Sequence, residues 1–216
     1  MRTRPRLSTL AALALVAAAL SSAAPAQQEN TEYRTLGTPQ PTASPGKIEV
    51  IEFFSYGCPH CAEFYPLVSS WQTGLAKDVV FRRVPVGFGR PAWVNLQRAF
   101  YALQASGDFP KLDAALFQAI HEERQQLFDQ GALTEWVGRM GGHADAFTSA
   151  YGSFGINSQT VQADKLAEDY EVTGVPTMAV DGRFLAQGSN FSELLANTDK
   201  LIAKVRAEHA AAAKKK

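Results

Sequence analysis

The chain has only two cysteines, Cys58 and Cys61, separated by Pro59 and His60. A Cys-x-x-Cys pair serves either to exchange a disulfide with another thiol or to hold a metal. A structural zinc site takes four ligands. No second cysteine pair exists, and His121, His143 and His209 lie far apart without ligand spacing. His121-Glu122-Glu123-Arg124-Gln125 lacks the second histidine of the metalloprotease motif, so these three histidines are read as ordinary surface or core residues, and no metal is expected. Haem attachment would need a histidine directly after the second cysteine, where Ala62 stands. As a structural bridge the pair would close a loop so short that the entropic stabilisation is near its minimum. The chemistry that remains is a redox-active dithiol, with Cys58 the attacking thiolate and Cys61 the resolving thiol.

Such a pair needs an element that positions it. Residues 47–55 are dense in β-branched and aromatic side chains and read as a buried strand, in which Glu52 is the odd acid among Val50, Ile51, Phe53 and Phe54. Gly57 allows a tight turn, and Pro59 suits the first position of a helix over 59–75, with Phe64, Leu67, Val68 and Trp71 as its apolar stripe and Pro66 expected to kink it. Residues 78–86 form a second strand, which completes a βαβ unit with the cysteines at its first helix N-terminus. Unpaired N–H groups and the positive end of the helix dipole favour a thiolate at Cys58, and a protonated or donating His60 adds to that. A thiolate held this way also stabilises the reduced form, which makes the disulfide the stronger oxidant. Cys61, one turn in, is less open to attack from outside.

Around this unit the remaining elements follow from periodicity. Residues 33–36 could pair as an edge strand, and 37–46, with three prolines, form a loop. From about 91 to 170 the spacing is helical. Trp93, Leu96, Phe100 and Leu103 make one stripe, read as core, and Leu112, Leu116, Ala119 and Ile120 a second. Leu133, Trp136, Val137 and Met140 make a third, 143–151 a short fourth helix, and Asn157 or Ser158 caps a fifth. Strand signals then resume at 177–180 and 183–186, joined by Asp181-Gly182, a hairpin turn signal. A last helix spans 191–208, with residues 210–216 expected to fray. The order predicts an α/β fold with an inserted helical subdomain over 90–171, the rest of the domain coming from 27–89 and 172–216.

The 216 residues are 46% hydrophobic and 19% charged, as in a globular protein with one core. Arg2, Arg4 and Arg6, the apolar stretch 7–20 and Ala24-Pro25-Ala26 make a secretory signal peptide, cleaved after Ala26 and too short in its apolar part to span a bilayer. Without it the chain carries 18 basic and 21 acidic residues, a net charge of −3. That balance gives no electrostatic footprint for nucleic acid, and the lysine tail 214–216 reads as a solvated end. Export places the thiols in an oxidising compartment.

The segment Glu52-Phe53-Phe54-Ser55-Tyr56-Gly57-Cys58-Pro59-His60-Cys61 resembles the active-site segment of the DsbA family of periplasmic thiol:disulfide interchange proteins. The early Tyr-x-Thr-Leu segment, the helical insertion and Gly174-Val175-Pro176-Thr177 extend the resemblance over the mature chain. It implies a thioredoxin-like fold with an inserted helical domain. Cys58 would be the exposed nucleophile and Cys61 its buried partner, with Pro59 and His60 tuning the potential. Val175 and Pro176 would form a cis-proline loop that pairs with the substrate backbone, although the residues alone mark only a turn before a strand. Glu52 would be the buried acid that takes part in proton movement at Cys61. Where the family often has a lysine beside that acid, Arg82 and Arg83 stand here, so the pairing of Glu52 is open.

The function these residues support is donation of the Cys58–Cys61 disulfide to newly exported, unfolded proteins in the periplasm. The resemblance implies reoxidation by a DsbB-like, quinone-linked inner-membrane partner, a monomer, and no soluble cofactor. Two other readings stand beside it: a disulfide reductase or isomerase, and a peptide-binding chaperone whose thiols are incidental.

Overall fold

A computed structural model describes residues 32–214. The signal-peptide expectation and the cleavage site after Ala26 lie outside the described residues. Five strands form one mixed sheet in the order β1-β5-β4-β2-β3: β1 (Tyr33–Thr35), β2 (Ile48–Phe54), β3 (Val79–Pro85), β4 (Thr177–Val180) and β5 (Phe184–Ala186). The central strand β2 is buried along its whole length, as its apolar run requires. It pairs parallel with β3 and antiparallel with β4. The parallel partner is reached through α1 (Pro59–Gln72), the βαβ unit that the pattern predicts. β1 does pair at the edge, antiparallel to β5. The hairpin between β4 and β5 turns at Asp181 and Gly182, both at positive φ (55° and 66°), with Arg183 N–H donating to the Val180 carbonyl.

Between β3 and β4 come α2 (Pro91–Ser106), α3 (Phe109–His121), α4 (Gln130–Arg139), α5 (Ala144–Tyr151) and α6 (Phe154–Asp169); α7 (Phe191–Ala213) closes the chain. Alternation along β2 divides the core. Ile48 and Val50 face Phe64 and Val68 of α1 and Leu201, Ile202 and Val205 of α7. Ile51 and Phe53 face the other way, onto Ala163, Ala167 and Tyr170 at the end of α6. Phe54, at the C-terminal end of β2, joins a third cluster with Tyr56, both cysteines and the apolar faces of α2, α3, α4 and α5. The active-site end of the sheet is therefore packed directly against the helical block. No helix among the described residues is long and apolar enough to cross a membrane.

Four details depart from expectation. The cap of α6 is Ser153, whose hydroxyl accepts from Ile156 N–H, so the helix starts one turn before Asn157 and Ser158. α7 runs to Ala213 because alanine is the strongest helix former and the 210–213 run continues the helix where fraying was expected. Leu67 is outside the buried stripe of α1, which runs Cys61, Phe64 and Val68. Met140 is the exposed C-cap of α4 and leaves that helix's face to Leu133, Trp136 and Val137.

Candidate active site

β2 ends at Phe54, and the chain turns through Ser55, Tyr56 and Gly57 to Cys58, the N-cap of α1. Cys58 N–H donates to the Ser55 carbonyl (3.1 Å), Gly57 N–H to Ser55 Oγ (3.2 Å), and Cys58's own carbonyl accepts the first helical bond from Ala62 N–H (3.1 Å). Pro59 occupies the first helical position, where its missing N–H costs nothing. Gly57 is required by a neighbour: a Cβ there would lie 2.6 Å from Nε1 of Trp93, whose indole covers the turn. On the other side the Tyr56 carbonyl is 2.6 Å from His121 Nε2. A carbonyl only accepts, so Nε2 carries the proton.

The two cysteines are unbridged and lie 3.6 Å apart. Cys58 Sγ is 3.5 Å from the Val175 carbonyl, in the loop where the Val175–Pro176 bond is cis, immediately before β4. Cys58 is less open than the expected exposed nucleophile: only 5% of the residue is accessible, with Val175 lying against it, while Cys61 is fully buried. The two thiols differ sharply in acidity. A hydrogen bond from the Cys61 thiol leads the effects that bring Cys58 down to about 6; burial opposes it, and the N–H groups of Cys61 and His60 and the His60 side chain assist. Burial pushes the Cys61 thiol far up, and the Cys58 sulfur beside it pushes the same way. One thiol is thus poised as a thiolate and the other is held as a neutral donor beside it.

His60 points outward, its side chain 72% exposed and 3.7 Å from the Glu63 carboxylate. With Val175 and Pro176 it lines one side of a groove of about 450 Å³, whose far side is built by residues 187–190, Phe191 and Leu194. That far wall carries no sequence signal of its own, because its shape comes from the loop between β5 and α7.

Behind the cysteines lies a charged cluster that sequence reasoning only half found. Adjacent positions on β3 point to opposite faces, so Arg83 meets Glu52 directly in register on β2, while Arg82, in register with Ile51, reaches diagonally to Glu49 on the other face. Arg83 Nε donates to Glu52 Oε2 at 2.7 Å, which settles the open pairing. Its guanidinium lies 3.8 Å from the Phe54 ring centroid, and its Nη1 donates to both oxygens of Asp113 on α3 (3.0 and 2.8 Å). Tyr56 Oη donates to Asp113 Oδ1 as well. Burial raises the Glu52 carboxyl, opposed by Arg83 and reinforced by the Asp113 charge. Asp113, Tyr56, His121 and Trp93 were not singled out as site residues. Asp113 did carry a signal of the kind that flagged Glu52: it is an acid inside the apolar stripe of Leu112, Leu116 and Phe117.

A family model described as DSBA-like thioredoxin domain matches residues 49–198. The thiol:disulfide interchange protein DsbA of Bordetella parapertussis is 39% identical over 201 residues, covering 91% of this chain and 95% of the relative. That of Azotobacter vinelandii is 44% identical over 153 residues, 71% of each. The crystal structure of Pseudomonas aeruginosa DsbA superposes with a TM-score of 0.79 at 38% identity, over 83% of this chain and 95% of that one. The oxidoreductase DsbA of Xylella fastidiosa gives 0.77 at 32% identity, over 82% and 96%.

Proposed function

The chain belongs to the DSBA-like thioredoxin family and is a thiol:disulfide oxidoreductase of thioredoxin-like fold, and from that premise we propose that it works as a disulfide donor to exported proteins in the periplasm. An unfolded substrate's thiolate attacks Sγ of Cys58 in the oxidised protein, the bond to Cys61 breaks, and Cys61 leaves with the electron pair. A second substrate thiolate then attacks the substrate sulfur of the mixed disulfide and releases Cys58 as the thiolate. The observation that carries this reading is the asymmetry of the pair: Cys58 is held near 6 at a helix N-terminus, while Cys61 is kept neutral behind it. A good leaving thiolate at Cys58 favours release of an oxidised substrate.

In this reading Pro59 and His60 tune the dithiol, and Val175 and Pro176 pair with the substrate backbone in the groove beside Cys58. Glu52 handles a proton at Cys61. The thioredoxin-like part, 27–89 and 172–216, carries the dithiol, and the inserted helices of 90–171 close over it. A DsbB-like quinone-linked membrane oxidase returns the reduced protein, a monomer exported by a signal peptide cleaved after Ala26, to the disulfide form.

The test uses a reduced, unfolded two-cysteine substrate. The oxidised protein should form the substrate disulfide, Cys58→Ala should abolish it, and Cys61→Ala, which has no disulfide to give, should form a mixed disulfide through Cys58 only when the substrate is supplied already disulfide-bonded. A reduction potential close to that of thioredoxin, roughly −270 mV, would overturn the donor assignment, and intact substrate oxidation by Cys58→Ala would overturn the dithiol mechanism.

A further inference from the structure

Two carboxylates share one guanidinium beneath Cys61. Glu52 comes from β2, Arg83 from β3 and Asp113 from α3, with side chains 0%, 9% and 10% exposed. The other titratable groups packed around them are Tyr56 of the turn, Tyr65 and Cys61 of α1, and His121 of α3, the last committed to the Tyr56 carbonyl. On the remaining side β4 sets the apolar Met178 opposite Glu52. With both carboxyls ionised the cluster would bury a net charge of −1, and an uncompensated buried charge costs several kcal/mol. One of the two carboxyls therefore keeps a proton.

The hydrogen bonds decide which. Asp113 accepts from Arg83 Nη1 on both oxygens and from Tyr56 Oη on one. Glu52 accepts a single bond, from Arg83 Nε on Oε2, and Oε1 is buried with no partner among the described residues. Charge gathers where the donors are, and the proton where they are not. We infer that Asp113, on the helical block, is a positioning residue for disulfide exchange: by claiming Nη1 of Arg83 and the Tyr56 hydroxyl it keeps Glu52 a neutral acid beneath Cys61. This rests on the disulfide-donor reading and names what sets the proton supply of that site.

The chemistry needs such an acid. When a substrate thiolate attacks Cys58 Sγ, the S–S bond breaks and its electron pair goes to Cys61 Sγ, inside the core. Burial makes that thiolate a strong base. Glu52 gives its proton to Cys61 and becomes the carboxylate that Arg83 Nε already holds. On reoxidation Cys61 returns the proton to Glu52 as its sulfur re-forms the disulfide, so the cycle balances without any further donor.

The test is the pH dependence of single-turnover reduction of the oxidised protein by a thiol peptide, which titrates identically with every variant. Asp113→Asn keeps the shape and leaves one guanidinium facing one carboxylate. Glu52 should then ionise more easily, so the loss of proton assistance as pH rises should occur about one pH unit lower than in the wild type. Asp113→Glu should move the profile back toward wild type. Tyr56→Phe, which removes one donor from Asp113, should shift it in the same direction by a smaller step, and serves if Asp113→Asn does not fold. In a Glu52→Gln background Asp113→Asn should produce no shift. A profile for Asp113→Asn, or for Tyr56→Phe in its place, that superimposes on the wild type overturns the inference. So does an equal shift with Glu52 already replaced. Failure of the underlying reading shows separately, as a wild-type protein that does not oxidise the peptide.

Discussion

The acidity of Cys58 has a ranked set of causes, and replacing Cys61 tests the ranking. The first is the hydrogen bond from the Cys61 thiol, and the weakest is the charge of His60, whose side chain is 72% exposed and therefore screened. A hydrogen bond to a charged acceptor contributes about 1.5–3 kcal/mol, and 1.36 kcal/mol is one pH unit of acidity. Cys61→Ala should therefore raise the Cys58 titration from about 6 to roughly 7–8. Cys61→Ser, which keeps a donor, should fall between, and His60→Ala should move it by less than about half a unit. The assay is thiolate absorbance at about 240 nm against pH on the reduced proteins. Cys61 stays silent across that range because burial holds its thiol far up. A Cys61→Ala protein still titrating at about 6, or a His60→Ala shift as large as that of Cys61→Ala, would refute the ranking. The same depression has a stability consequence. Cys58 is lowered in the folded, reduced protein from an ordinary 9.0 to about 6, so its stabilisation is complete above pH 9 and is lost as pH falls through about 6. At pH 7 it amounts to about 1.4 kcal/mol, absent from the oxidised form. Denaturant unfolding should show the reduced form gaining about that much on the oxidised form between pH 5 and pH 7.

Arg83→Met should cost about 3 kcal/mol or more at neutral pH, because it leaves Glu52 and Asp113 in the core without their cation. The deficit should shrink in acid, since a protonated carboxyl does not need the guanidinium; urea melts at pH 7 and pH 5 read both, and an equal deficit at the two would count against the charge argument. Gly57→Ala should cost about 1–3 kcal/mol, because its Cβ would meet Trp93 Nε1 at 2.6 Å. Thermal unfolding measures the loss, and Trp93→Leu in the same chain should recover most of it if the indole is the obstacle.

What the sequence disclosed and what it hid divide along a physical line. The dithiol, the strand before it, the proline at the first helical position and the hairpin at Asp181-Gly182 depend on neighbours within a few positions, and local spacing made each of them legible. Glu52 was visible because an acid in an apolar strand has to be explained. Its partner was narrowed to Arg82 or Arg83, but choosing between them requires the strand register, which sets Glu52 opposite Arg83 and leaves Arg82 to Glu49 on the other face. Asp113 lies further off still. Only the packing of α3 against the active-site end of the sheet brings its carboxylate to Arg83, across 30 residues of chain. The arginine bears on that reach: a guanidinium presents Nε to one carboxylate and Nη1 to another at once, with its Cζ 3.8 Å from the Phe54 ring centroid, which a lysine's single ammonium nitrogen cannot reproduce. A lysine at this position would be satisfied by a single carboxylate; an arginine asks for a second acceptor, and the helical block supplies it.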